Sequence, residues 1–141
     1  MNKTKPAEEI GIGLVFNVNG ELLIDKRLED SSMGGLWEFP GGKKELHESI
    51  EKTIEREIKE ELGIEVSIGE KLVSFEYRYS RKKLNFTVYI CEWISGEPRS
   101  LASQDIRWVS PKRLVDFSFP AANTKIIYEL HKYLQIDNKT F

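Results

Sequence analysis

Apolar residues along the chain switch between two spacings, and the switches mark its elements. From Ile10 to Val18 the sequence is apolar and β-branched, Asn19-Gly20 is a strong tight-turn signal, and Glu21 to Arg27 alternates, which predicts a hairpin. Residues 28–35 are polar and end in Met33-Gly34-Gly35, a loop; the short segment Leu36 to Phe39 and a turn at Pro40-Gly41-Gly42 follow. Residues 49–62 take a helical period, with Ile50, Ile54, Ile58 and Leu62 on one stripe, Ser49 placed as a cap and Gly63 as a left-handed stop. Beyond it, Ile64 to Ile68, Leu72 to Tyr79 and Leu84 to Ile94 predict strands, the last two joined by a basic turn at Ser80 to Lys83. Gly96-Glu97-Pro98 breaks the run, Ile106 to Val109 is a short strand, and Ser110-Pro111 opens a short helix. Thr124 to Leu134 carries Ile126, Ile127, Leu130, Tyr133 and Leu134 at helical spacing. This order predicts an α+β fold with a mixed β-sheet between helices.

The helix at 49–62 carries more than its apolar stripe. At about 100° per residue, Glu57, Glu60 and Glu61 fall within a sector roughly 100° wide that borders the buried stripe. Acids packed at that margin repel one another, by a few tenths of a kcal/mol per pair on a helix surface and more where water is partly excluded. A divalent cation removes that cost, and hard cations such as magnesium are usually shared between a few carboxylates and substrate phosphates. The plain alternative is a charged surface helix, for which Glu55 and Lys59 even offer a supporting i, i+4 pair. It leaves Gly41-Gly42 before the helix, Arg56 among the acids and Gly63 at the end as coincidences.

The chain has 141 residues, 40% hydrophobic and 31% charged, with no linker or repeat to divide it, so a single domain spanning 1–141 is expected. No apolar run approaches the length of a membrane span. The opening MNKTKPAEEI is charged and lacks an apolar core, unlike a secretory signal, so a cytoplasmic protein is expected. Cys91 is the one cysteine, which excludes an intrachain disulfide and a cysteine metal site. The net charge of −2 and scattered basic residues argue against polymeric nucleic acid. A single nucleotide is compatible, since metal ions on acidic side chains can neutralise its phosphates; the expected partner is a small nucleotide, and a monomer is favoured.

Residues 42–64, GKKELHESIEKTIEREIKEELGI, resemble the signature of the Nudix hydrolase family, G-x5-E-x7-R-E-U-x-E-E-x-G-U with U bulky and aliphatic. Gly42, Glu48, Arg56, Glu57, Ile58, Glu60, Glu61, Gly63 and Ile64 fill every fixed position. Leu36-Trp37-Glu38-Phe39-Pro40-Gly41-Gly42-Lys43, Ile106-Arg107-Trp108-Val109 and Phe119-Pro120-Ala121-Ala122-Asn123 are similar to flanking segments of the MutT branch. The resemblance implies a Nudix-type α/β/α sandwich and magnesium-dependent, or manganese-dependent, hydrolysis of a nucleoside triphosphate to monophosphate and pyrophosphate. In that branch 8-oxo-dGTP is often preferred, which would make the protein a sanitiser of the nucleotide pool, and attack falls on the β-phosphorus.

Carried over by position, the resemblance implies Glu57, Glu60, Glu61 and the Gly41 carbonyl as metal ligands, with Glu57 the general base and Glu60 a further catalytic acid. Arg56 and Glu48 would hold the acids in place. Arg27, Phe39, Lys43, Tyr79 and Asn123 would meet the nucleotide. Asn123 is the most informative of these, because a carboxamide offers a donor and an acceptor in one plane and can read a purine edge; alternatively it caps the last helix. Phe39 and Tyr79 also read as ordinary core. Many relatives carry an extra Glu six residues before the late Trp, where this chain has Ala102, and Asp105 or Glu97 could substitute. CTP or a modified pyrimidine triphosphate is the nearest rival substrate, and a non-catalytic base reader the rival of another class; the intact acid set argues against the reader.

Overall fold

The structure is a computed structural model that describes residues 7–136. The reading of the first residues as free of a secretory signal rests mostly on residues 1–6, which lie outside the described residues.

Strand β1 (Glu8–Phe16) is the organising element. Along one side it pairs in parallel with β6 (Lys82–Ser95), residue for residue from Glu8↔Leu84 to Phe16↔Glu92. Its other side is divided: the Phe16 end turns through residues 17–21 into β2 (Leu22–Lys26), and the Ile10 end pairs with β4 (Gly41–Lys43). The turn is tied by the Asn17 side chain, which accepts from the backbone N–H groups of Asn19 and Glu21, with Gly20 at φ 74 supplying the left-handed residue. Strand β2 also pairs antiparallel with β3 (Trp37–Glu38) and with β7 (Asp105–Val109), while β5 (Glu65–Tyr79) closes the far edge against β6. The sheet is therefore mixed and seven-stranded.

Helix α1 (Ile50–Leu62) covers one face, and α2 (Ala121–Tyr133) with a 3-10 turn at Pro111–Asp116 covers the other. Alternation along β1 builds the two layers. Ile12 and Leu14 join the core with Ile126 and Leu130 of α2, whereas Gly11 and Gly13 turn toward α1. A Cβ at Gly13 would lie 2.7 Å from Cδ1 of Ile58, so the missing side chains let α1 sit directly on the strand. Ile54, Ile58 and Leu62 are fully buried there with Val15, Leu23 and Val66. This is the expected α+β sandwich.

Three local expectations need correction. Pro40-Gly41-Gly42 is not only a turn, because Gly41 to Lys43 form β4, held by pairing with Ile10–Ile12. The two strands expected at 64–68 and 72–79 are one, β5, whose interruption is absorbed by register shifts around Lys71. Helix α2 begins at Ala121, before Thr124, with Pro120 as its N-terminal boundary and no side-chain cap.

Candidate active site

Both ends of α1 are fixed by the sequence. Ser49 Oγ accepts from Lys52 N at 3.1 Å, and Gly63, at φ 70, donates its N–H to Lys59 O at 2.9 Å. With its length set, the helix presents Arg56, Glu57 and Glu61 toward β4.

Arg56 is the hub of the outer half. Its Nε donates to Glu48 Oε2 at 2.7 Å and Nη2 to Oε1 at 3.0 Å, while Nη1 reaches Glu57 Oε1 at 2.8 Å. Nη2 also donates to Lys43 O at 3.1 Å, tying β4 to α1. These bonds hold Glu48 down to about 2, the Arg56 guanidinium first, then the Glu45 N–H and the Thr53 hydroxyl. The Arg56 pKa is raised in turn, chiefly by the hydrogen bond with Glu48.

The inner half is acidic and shielded. Gly41 donates its N–H to Glu61 Oε1 at 3.2 Å, and Glu61 meets Glu57 carboxyl to carboxyl. Burial pushes Glu61 up to about 10, assisted by the contact with Glu57 and by repulsion from Asp25. Asp25 on β2 is 3% exposed; burial and the adjacent Glu38 push it up to about 9. Glu60 differs from both, its side chain 60% exposed and its Oε2 3.5 Å from Arg56 Nη1. The glycines before the helix explain the close approach. A Cβ on Gly42 would lie 2.4 Å from Cδ of Glu57, and Gly41, at φ 152, is held so near β1 that its Cβ would meet Gly11 O at 2.1 Å.

Among the described residues no three Asp, Glu, His or Cys side chains form a ready-made metal cage. The donors that do converge nevertheless suit a hard divalent cation. They are oxygens only, and the Glu57 carboxyl beside Glu61 adds to the burial that raises the Glu61 pKa, a cost that a cation between the two would remove. Magnesium in particular takes few protein ligands and leaves the rest of its shell to water and phosphate.

On the opposite side of Gly41 and Gly42 a cleft of about 420 Å³ opens over the α2 face of the sheet. Arg27, Phe39, Gly41, Tyr79 and Asn123 line it. Phe39 is buried and stacks on Phe119 with ring centroids 5.0 Å apart, so it is core and cleft floor together. Arg27 is braced by Glu38 Oε1 at 2.6 Å and Ser32 O at 2.7 Å. Asn123 sits inside the first turn of α2 and does not cap it. Lys43 does not line the cleft; its Nζ lies 3.5 Å from Glu8 Oε1 at the surface.

Sequence reasoning passed over Glu38, Tyr77 and Met33, which also line the cleft, and Asp25, which lies beside Glu61. Tyr77 had a signal, standing two residues before Tyr79 in an alternating strand. Ala102 is exposed, as is Glu97, and the Asp105 carboxylate is engaged by Ile106 N at 2.9 Å and by Arg107.

The chain matches the NUDIX domain family over residues 11–129. It is 35% identical over 123 residues to an 8-oxo-dGTP diphosphatase of Haemophilus influenzae, covering 86% of this chain and 90% of that protein. It is 28% identical over 116 residues to a CTP pyrophosphohydrolase of Escherichia coli, covering 82% and 86%. Among solved structures, a MutT protein from Methanosarcina mazei superposes with a TM-score of 0.81 at 25% identity, over 96% of this chain and all of that one.

Proposed function

The chain belongs to the Nudix family and is a Nudix pyrophosphohydrolase, and on that premise we propose that it hydrolyses 8-oxo-dGTP to the monophosphate and pyrophosphate with magnesium, or manganese, bound at Glu57 and Glu61. One observation carries the reading. The cleft holding Asn123 and Phe39 is bounded by Gly41 and Gly42, the same two residues that pack against Glu61 and Glu57, so a base in the cleft leads its phosphates to the acids.

Glu57, Glu61 and the Gly41 carbonyl would hold the cation, with the more exposed Glu60 as a further ligand. A cation held there would supply neutralisation of the charge that develops on the phosphate chain. Arg56 fixes one Glu57 oxygen at 2.8 Å, so that this carboxylate is oriented when it takes a proton from the attacking water. Glu48 fixes Arg56 and therefore acts one step further out. Asn123 reads the purine edge with its carboxamide, Phe39 and Tyr79 flank the base, and Arg27 stands braced at the cleft wall.

The test is a panel of triphosphates with magnesium, followed by pyrophosphate release. Preferential turnover of 8-oxo-dGTP over dGTP and CTP is expected. CTP is the second reading, because the chain also resembles a CTP pyrophosphohydrolase, and faster turnover of CTP would replace the base assignment while leaving the metal site intact.

A further inference from the structure

Asp25 is a carboxylate that the hydrophobic pattern gives no reason to bury. It lies on β2 between two cross-strand neighbours, Ile106 of β7 and Glu38 of β3. Ile106 belongs to the cluster packed under α1, as does Leu23, two residues before Asp25 on the same face of the strand. Asp25 therefore rises from the sheet toward α1, where its charge acts on Glu61 of the helix. Only 3% of Asp25 is exposed, and its Oδ1 is buried with no hydrogen-bond partner.

A carboxylate oxygen buried without a partner loses its hydration and gains no hydrogen bond in exchange. Arg27 acts on Asp25 through its charge and Glu38 lies beside it, but no donor hydrogen-bonds Oδ1. We propose that Asp25 is an additional carboxylate of the divalent-cation site, completing from the sheet beneath α1 the set that Glu57 and Glu61 begin on the helix, in the role left open by Ala102. The inference rests on the metal site described under Proposed function. The loop carrying Ala102 docks on the C-terminal end of α1, through Leu101 N to Glu61 O at 3.0 Å and Arg99 N to Leu62 O at 2.9 Å. Neither Asp105, engaged within its own strand, nor exposed Glu97 is placed to supply the acid. Asp25 supplies its oxygen from a strand held on both edges, a rigid support for a ligand.

The experiment is a manganese titration of the protein freed of metal, with the free ion followed by its electron paramagnetic resonance signal, for the parent, Asp25→Asn, Asp25→Ser and Glu57→Gln. Melting temperatures are taken in chelator and in excess magnesium. Asp25→Asn and Asp25→Ser should weaken the tightest manganese site by about tenfold or more and shrink the rise in melting temperature that magnesium produces. In chelator Asp25→Asn should melt at or above the parent, since the variant no longer buries an acid among acids. If both Asp25 variants keep parental manganese affinity while Glu57→Gln loses it, Asp25 is only a structural partner of Glu38 and this inference fails alone. If Glu57→Gln also keeps parental affinity, or the parent binds no manganese, the metal site fails and Asp25 with it.

Discussion

Arg56 clasps Glu48 with two hydrogen bonds, Nε to Oε2 at 2.7 Å and Nη2 to Oε1 at 3.0 Å, which leaves Nη1 directed at Glu57. The fork geometry, and not charge alone, sets where the Glu57 carboxylate points.

Arg56→Lys keeps the charge but cannot make the paired bonds and the Glu57 contact together. It should lower kcat by roughly 10–100-fold with little change in KM. Glu48→Gln should lower it less, because the acid acts through Arg56. Steady-state kinetics at saturating magnesium checks both, and a parental kcat in Arg56→Lys would show that orientation of Glu57 does not depend on the fork.

Glu48 is held down to about 2 from an ordinary 4.5, and this sets an acid limit. A carboxyl whose folded value is depressed stabilises the fold at every pH where the unfolded group is ionised, and that contribution disappears as pH falls from about 4.5 through about 2. Denaturant unfolding from pH 7 to pH 2 should show parent and Glu48→Gln separated by a constant gap at neutral pH that closes across that window. A gap independent of pH would remove the Arg56 pairing as its source.

Substitutions at the two glycines before α1 should separate fold from chemistry. In Gly42→Ala the new methyl meets the end of the Glu57 side chain, which can swing aside, so the protein should melt near the parent temperature yet lose about 100-fold in turnover. In Gly41→Ala the methyl meets the backbone of Gly11, and φ 152 is itself unfavourable for alanine. Destabilisation of about 1–3 kcal/mol or more is expected there. Thermal melts alongside activity distinguish the two.

Asn123→Asp exchanges a donor-acceptor pair for acceptors alone. Such an edge suits the exocyclic amine of cytosine and not the mixed edge of a purine. The kcat/KM for 8-oxo-dGTP should fall by about 10-fold or more relative to CTP, given the roughly 1–3 kcal/mol that one bidentate contact discriminates. An unchanged ratio would place base reading elsewhere in the cleft.

What was legible in the sequence was what is decided locally. The α1 boundaries follow from Ser49 and Gly63, whose capping bonds span only a few residues, and the apolar stripe at Ile50, Ile54, Ile58 and Leu62 settled which face is buried. Strand β4 escaped because glycines carry little strand preference, and its partner, Ile10–Ile12, lies some thirty residues away in the chain. Asp25 escaped for a related reason. At the end of Leu22-Leu23-Ile24-Asp25-Lys26 an acid reads as the edge of a strand meeting water, and only pairing on both sides, with β3 and β7, puts it inside. The cleft-lining place of Asn123 likewise depends on Pro120 and not Asn123 bounding α2. Lys43 shows the converse, a residue adjacent to the signature whose side chain leaves the cleft for Glu8.

The alternation of β1, with Gly11 and Gly13 under α1 and Ile10 and Ile12 lining the cleft, puts the two parts of the proposed site on opposite faces of one strand. Mutations can remodel the cleft wall on one face while the acids on the other keep their geometry. On the proposed reading, base preference can therefore be altered without disturbing the acids, and the glycines of β1 are the positions at which that separation would be lost.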